Sequence, residues 1–155
     1  PVLIMPAVRQ VLADMMALAE QDHQQLLLDA GAVDQLRVAL SAELLDMLLR
    51  NLVDNACRYS PPGSEIAVRV HDDGGMVEIR VEDGGSGLSA DLRERAGERF
   101  LRGDHSLPGT GLGLSIVRRI LAVCGGSMDF QPRQGPQPAA VVLRLPVVGQ
   151  GSAIV

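Results

Sequence analysis

Aromatic residues are nearly missing from this chain: two Phe, one Tyr and no Trp in 155 residues. With 46% of the residues apolar, the core has to be aliphatic, built from Leu, Val, Ile, Met and Ala. Cysteine is almost as scarce. Cys57 and Cys124 make neither a metal-binding spacing nor a disulfide framework, and Cys57 reads as a small buried hydrophobe in a reducing compartment. Runs of basic residues are absent and the formal charge is −5. That argues against nucleic acid or an anionic lipid surface as the main partner. No apolar stretch is long enough to span a bilayer and no signal peptide opens the chain. The chain as given therefore reads as soluble and cytoplasmic, and it also suits a piece cut from a longer membrane protein. Its length suits one domain.

Residues 1–6, PVLIMP, are apolar and end in Pro, and read as a residual linker. From there Val8, Val11, Leu12, Met15 and Ala19 keep a helical period, which predicts an amphipathic helix over 7–21. Short strands are expected at 26–29 and 35–40, around a turn at Gly31. Ser41 is the expected N-cap of a long helix that ends before Pro61-Pro62-Gly63. Two alternating strands follow, Ile66/Val68/Val70 and Val77/Ile79/Val81, joined by Asp72-Asp73-Gly74-Gly75 as a hairpin. Their apolar and charged residues alternate, so one face of the sheet is expected to be covered and the other solvated. A short helical stretch is expected from Ser89 to about Ala96. Residues 97–109 have no period and read as a mobile loop by composition. Helix returns from Leu114 to Cys124, stopped by Gly125-Gly126. A last hairpin pairs 127–131 with 140–145, and the tail 149–155 is expected to be loose. The domain proper is 7–148. The mixture of helices and hairpins predicts an α+β fold, a mixed, mostly antiparallel sheet with helices on one face.

Three stretches carry chemistry. In the long helix, Asn51, Asn55 and Arg58 line one stripe beside the apolar stripe of Leu45, Leu49, Leu52 and Ala56. A carboxamide bordering a core is costly unless its donor and acceptor are used. The stripe thus suits a polar site, though it also suits ordinary helix-flank residues. Asp83 closes a strand and precedes Gly84-Gly85-Ser86-Gly87. A carboxylate there can accept from a ligand amine, and the glycines let a flat ring approach the backbone. Taken alone, it is also a common Asp-Gly turn. Gly109-Thr110-Gly111-Leu112-Gly113-Leu114 opens a helix, and free amides at such a helix start cradle phosphates. It is neither a P-loop, since no Gly-Lys-Ser/Thr follows, nor a dinucleotide fingerprint, since a loop precedes it and the spacing is G-x-G-x-G.

The order and spacing of these stretches resemble the catalytic and ATP-binding domain of two-component sensor histidine kinases. These belong to the GHKL ATPase superfamily, shared with gyrase, MutL and a heat-shock chaperone. NLVDNACRYSPPG resembles the N box, EDGGSGL the first glycine box, ERFLRGD the F box and GTGLGLSIV the second glycine box. The likeness covers about 7–146, and the short lid is similar to the quorum-sensing and polymyxin-resistance sensor kinases. It implies a Bergerat-type two-layer sandwich of about five strands and three main helices, and the cofactors ATP and Mg²⁺. It implies that Asn55 ligates Mg²⁺ and that Asn51 holds phosphate or a metal-bound water. Arg58, where the family usually has Lys, is implied to contact phosphate. Tyr59 is implied to stack near adenine, and Asp83 to accept from its amino group. Gly85 and Gly87 shape that pocket, with Leu88 closing the first glycine box. Phe100 and Arg102 belong to the lid, and Arg102 reaches phosphates or the partner domain. Gly109, Thr110, Gly111, Leu112, Gly113 and Leu114 make up the box that wraps the triphosphate.

Hydrolysing members of that superfamily carry Glu four residues before the Mg²⁺ Asn, and here the position is Asn51, which cannot take a proton. That favours a kinase over an ATPase. Phosphoryl transfer in the family needs a His followed by an acid on a dimerising helical hairpin. His23, His71 and His105 do not match that pattern. The resemblance therefore implies an ATP-holding half whose partners are the phosphoacceptor hairpin domain and, in the full system, a response regulator. A nucleotide-sensing interaction module and a hydrolytic ATPase are the alternatives.

Overall fold

The computed structural model describes residues 1–83 and 112–149. In chain order these form β1 (Val2–Leu3), α1 (Ile4–Gln21), β2 (Gln25–Ala30), β3 (Arg37–Val38) and α2 (Ala42–Tyr59). There follow β4 (Glu65–Asp72), β5 (Met76–Asp83), α3 (Leu112–Cys124), β6 (Ser127–Gln131) and β7 (Ala139–Pro146).

Local chemistry explains most of these boundaries. The Ser41 hydroxyl accepts from the Leu44 amide at 3.1 Å, which caps α2 as expected. The helix stops at Tyr59, just before Ser60 and the proline pair. Leu45, Leu48, Leu49, Leu52, Val53 and Ala56 form its buried stripe. Between β4 and β5, Gly74 and Gly75 have φ of 60° and 91°, a left-handed pair that closes a tight hairpin without a Cβ penalty. The Asp73 amide donates to the Met76 carbonyl across that turn at 2.8 Å.

The reading of residues 1–6 as a linker is corrected. Val2 and Leu3 pair antiparallel with Val38 and Arg37, and Ile4 and Met5 are fully buried. Pro6 is the misleading residue. It sits in the first turn of α1, where helix amides lack an intrahelical acceptor, so a residue without an N–H is tolerated.

The main sheet has five strands in the order β2-β4-β5-β7-β6. β2 runs parallel to β4 and every other pair is antiparallel. This is the mixed, mostly antiparallel sheet that was expected, with three helices among the described residues. β1 and β3 form a separate two-stranded piece. α2 lies between α1 and α3 and crosses β5, which puts the middle of the helix layer over the middle of the sheet. The opposite face carries Arg69, Glu78, Arg80, Glu82 and Arg144. Glu78 is buried there despite its charge, with Arg144 at 2.8 Å and His71 at 3.4 Å.

The first glycine box beyond Asp83, the expected helix to Ala96, the F box and the 97–109 loop lie outside the described residues, as does the second glycine box through Gly111.

Candidate functional site

Strand alternation places Val81 and Asp83 on the covered face of β5. Val81 stands opposite Val141 of β7, and Val141 opposite Phe130 of β6. One row across three strands is therefore apolar. Asp83 ends β5 opposite Ala139 and is only 9% exposed. Above this floor α2 contributes Asn55, Ala56 and Tyr59, and α3 contributes Leu114. Together these residues line a narrow slot that is partly open to solvent.

The slot is greasy with two polar accents. Asp83 offers a carboxylate at the end of β5, where a buried acceptor favours a ligand N–H. Asn55 is half-buried on the wall and makes no side-chain hydrogen bond among the described residues. Its carboxamide therefore has both an oxygen and an NH₂ to offer. Beside them, burial pushes the Cys57 thiol up to about 11, reinforced by the Asp54 and Asp22 carboxylates and opposed by Arg58. Cys57 is a neutral packing group here, not a nucleophile.

Of the residues singled out from sequence, Asn55, Tyr59, Asp83 and Leu114 converge on the slot. Asn51 and Arg58 share α2 but do not line it. Asn51 Nδ2 donates to the Met47 carbonyl one turn back at 2.7 Å. Arg58 Nε donates to Asp54 at 2.8 Å, an i,i+4 ion pair. Leu112 and Gly113 form the first turn of α3. Gly85, Gly87, Leu88, Phe100, Arg102, Gly109, Thr110 and Gly111 lie outside the described residues.

Ala56, Val81, Phe130 and Val141 were not anticipated as lining residues. Val81 was within reach, because it shares a strand face with Asp83 two residues on. Phe130 and Val141 carried no local signal. Their place depends on β7 lying between β5 and β6.

Comparison with known proteins adds three findings. The family model described as histidine kinase-, DNA gyrase B-, and HSP90-like ATPase matches residues 41–149. The sensor protein BasS of Escherichia coli (strain K12) is 41% identical over 132 residues, covering 85% of this chain and 36% of BasS. The chain thus spans about a third of that relative's length. Among solved structures, the mycobacterial sensor histidine kinase MprB matches with a TM-score of 0.81 at 27% identity, covering 94% of this chain and 97% of that one. Full-length ShkA, solved in complex with AMPPNP, matches with a TM-score of 0.80 at 28% identity, covering 95% of this chain and 30% of that one.

Proposed function

Because the chain belongs to the histidine kinase-, DNA gyrase B-, and HSP90-like ATPase family, we propose that it is the ATP-binding catalytic domain of a two-component sensor histidine kinase. The observation that carries this reading is the convergence of Asn55, Tyr59 and Asp83, from two distant stretches of chain, on one apolar slot. Adenine fits that chemistry. Its ring takes the Val81–Val141–Phe130 floor with Tyr59 beside it, and its amino group donates to Asp83.

The triphosphate runs toward the start of α3, where helix amides favour anions. Arg58 is the α2 cation that would contact it, on exchanging its Asp54 ion pair for phosphate. Asn55 suits Mg²⁺, a hard cation that takes oxygen ligands, because its carboxamide oxygen is uncommitted among the described residues. When bound, that ion neutralises charge on the phosphates. The protein's own work is positioning: an apolar slot, a fixed ring and an aimed γ-phosphate. Asn51, turned back onto its helix, offers no base for water. This supports transfer to a protein nucleophile, a His on a separate helical hairpin, with a response regulator as the later recipient. No helix of the described residues is long and apolar enough to cross a membrane. The domain is proposed to work on the cytoplasmic side of a membrane-bound parent.

The test begins with ADP titrations with and without Mg²⁺, where tighter binding with Mg²⁺ is expected and is lost in Asn55→Ala. Labelled ATP is then mixed with the domain and a His-bearing dimerisation hairpin. Label on the hairpin is expected. A hairpin left unlabelled while ATP is bound defeats the kinase reading, and sustained phosphate release by the domain alone favours a hydrolase.

A further inference from the structure

Gln24 lies in the turn between α1 and β2 and is 4% exposed. Its Nε2 donates to the carbonyls of Cys57 at 3.0 Å, Ser60 at 3.1 Å and Pro61 at 3.5 Å. These belong to the C-terminal end of α2 and the residues just past it. A helix end leaves its last carbonyls without intrahelical donors. A glycine in left-handed backbone usually turns the chain so that its own amides fill that gap. α2 has no such device. It runs into Ser60 in extended backbone (φ −99°, ψ 142°), then into two prolines that have no N–H to give. The Pro61 carbonyl is met from the following chain, by the Ser64 amide at 3.2 Å and the Ser64 hydroxyl at 2.6 Å, and Gln24 brings donors to the Cys57 and Ser60 carbonyls from elsewhere in the fold.

The other end of the same side chain shows what this costs. Gln24 Oε1 is buried with no hydrogen-bond partner among the described residues. A residue kept only to fill space would be apolar, because an unmet buried acceptor is destabilising. Backbone bonds clasp the same place: the Gly63 amide donates to the Asp22 carbonyl at 2.9 Å and the Gln25 amide to the Ser64 carbonyl at 3.0 Å. The turn held this way is the one that presents Tyr59 to the slot, one turn beyond Asn55.

We infer that Gln24 is a positioning residue of the nucleotide slot, gathering the terminal carbonyls of α2 so that Tyr59 and Asn55 keep their places on its wall. The inference rests on the nucleotide-binding reading for its consequence, and on Tyr59 placement for its own test. Tyr59 is the only Tyr and there is no Trp, so intrinsic emission reports on this turn alone. Gln24→Met keeps the length and removes the donors. It is expected to weaken ADP binding about tenfold, the scale of one or two lost hydrogen bonds. Tyr59 anisotropy should fall in the nucleotide-free protein while unfolding stays cooperative by circular dichroism. Gln24→Lys restores N–H donors beside the Asp22 and Asp54 carboxylates, whose fields reach the adjoining Cys57, and is expected to recover both affinity and anisotropy.

Parental affinity and anisotropy in Gln24→Met would overturn the assignment. So would a folded Gln24→Lys that is as loose as the Met variant. If Gln24→Met does not fold, Gln24→Lys decides alone: folded with parental anisotropy supports the role, folded with a loosened Tyr59 overturns it. If the parent protein itself fails to bind ADP, the nucleotide reading falls. The anisotropy of the variants still decides whether Gln24 holds the turn.

Discussion

The two faces of the five-stranded sheet use one alternation for opposite ends. Under the helices, Ile66, Val68, Ile79, Val81 and Leu143 are all but fully buried, and one apolar row widens into the slot. On the other face charges are laced across strands. Arg69 and Arg80 stand directly opposite each other, a like-charge pair that is unfavourable by itself. Glu82 lies close to both, 3.1 Å from Arg69 and 3.0 Å from Arg80, and Arg69 also reaches Asp29 at 2.6 Å. Burial of apolar area is non-directional and accumulates. Partly exposed ion pairs are screened and individually weak. The contrast teaches that the site's geometry is inherited from the covered face, while the open face mainly keeps neighbouring strands compatible.

Substitutions on the two faces test that contrast. The largest effect is expected from Ile79→Ala at the covered centre of β5. Chemical denaturation should show a loss of about 2–5 kcal/mol, the range for emptying a buried aliphatic site. Asp83→Asn comes next and separates site from scaffold. Calorimetric titration should show ADP bound at least about tenfold more weakly, since a hydrogen bond to a charged acceptor is worth ~1.5–3 kcal/mol, with the melting temperature little changed.

A third measurement reads burial in the helix layer through Cys57. Its thiol is raised from 9.0 to about 11 in the fold. Above pH 9 the unfolded chain gives up this proton while the folded chain keeps it. Stability is therefore intact below pH 9 and declines as pH rises toward 11, by at most about 1.4 kcal/mol per pH unit. Cys57→Ala should flatten that decline. The chain has 14 Arg and no Lys, so no lysines titrate across the same range. The smallest effect belongs to the open face. Arg69→Gln should cost under ~1 kcal/mol, and less in high salt. A loss as large as that of Ile79→Ala would undo the division between the faces.

Much of the site was legible because its signals are local. Asn55 and Tyr59 are one helical turn apart, and Asp83 sits where an alternating strand meets glycine. Ser41 could be named as a cap from its place before an apolar period. The same local habits misled at residues 1–6, where a Pro after a short apolar run looks like an ending. Ile4 and Met5 are core because β1 finds β3, and that pairing leaves no trace in the first six residues. Gln24 was invisible for a related reason, since its three acceptors lie more than thirty residues away.

Beyond residues 1–6, the amino-acid order by itself determined which of the described segments are helix or strand, which face of each is apolar, and which residue types could bind a nucleotide. Those properties follow from backbone period and side-chain chemistry within a few residues. Only the tertiary structure decided that β5 lies beside β7, that Val81, Val141 and Phe130 form one floor, and that a glutamine from the α1–β2 turn closes the end of α2. Strand neighbours and buried hydrogen bonds are chosen by the joint packing of the whole chain, and no short window of sequence contains that choice.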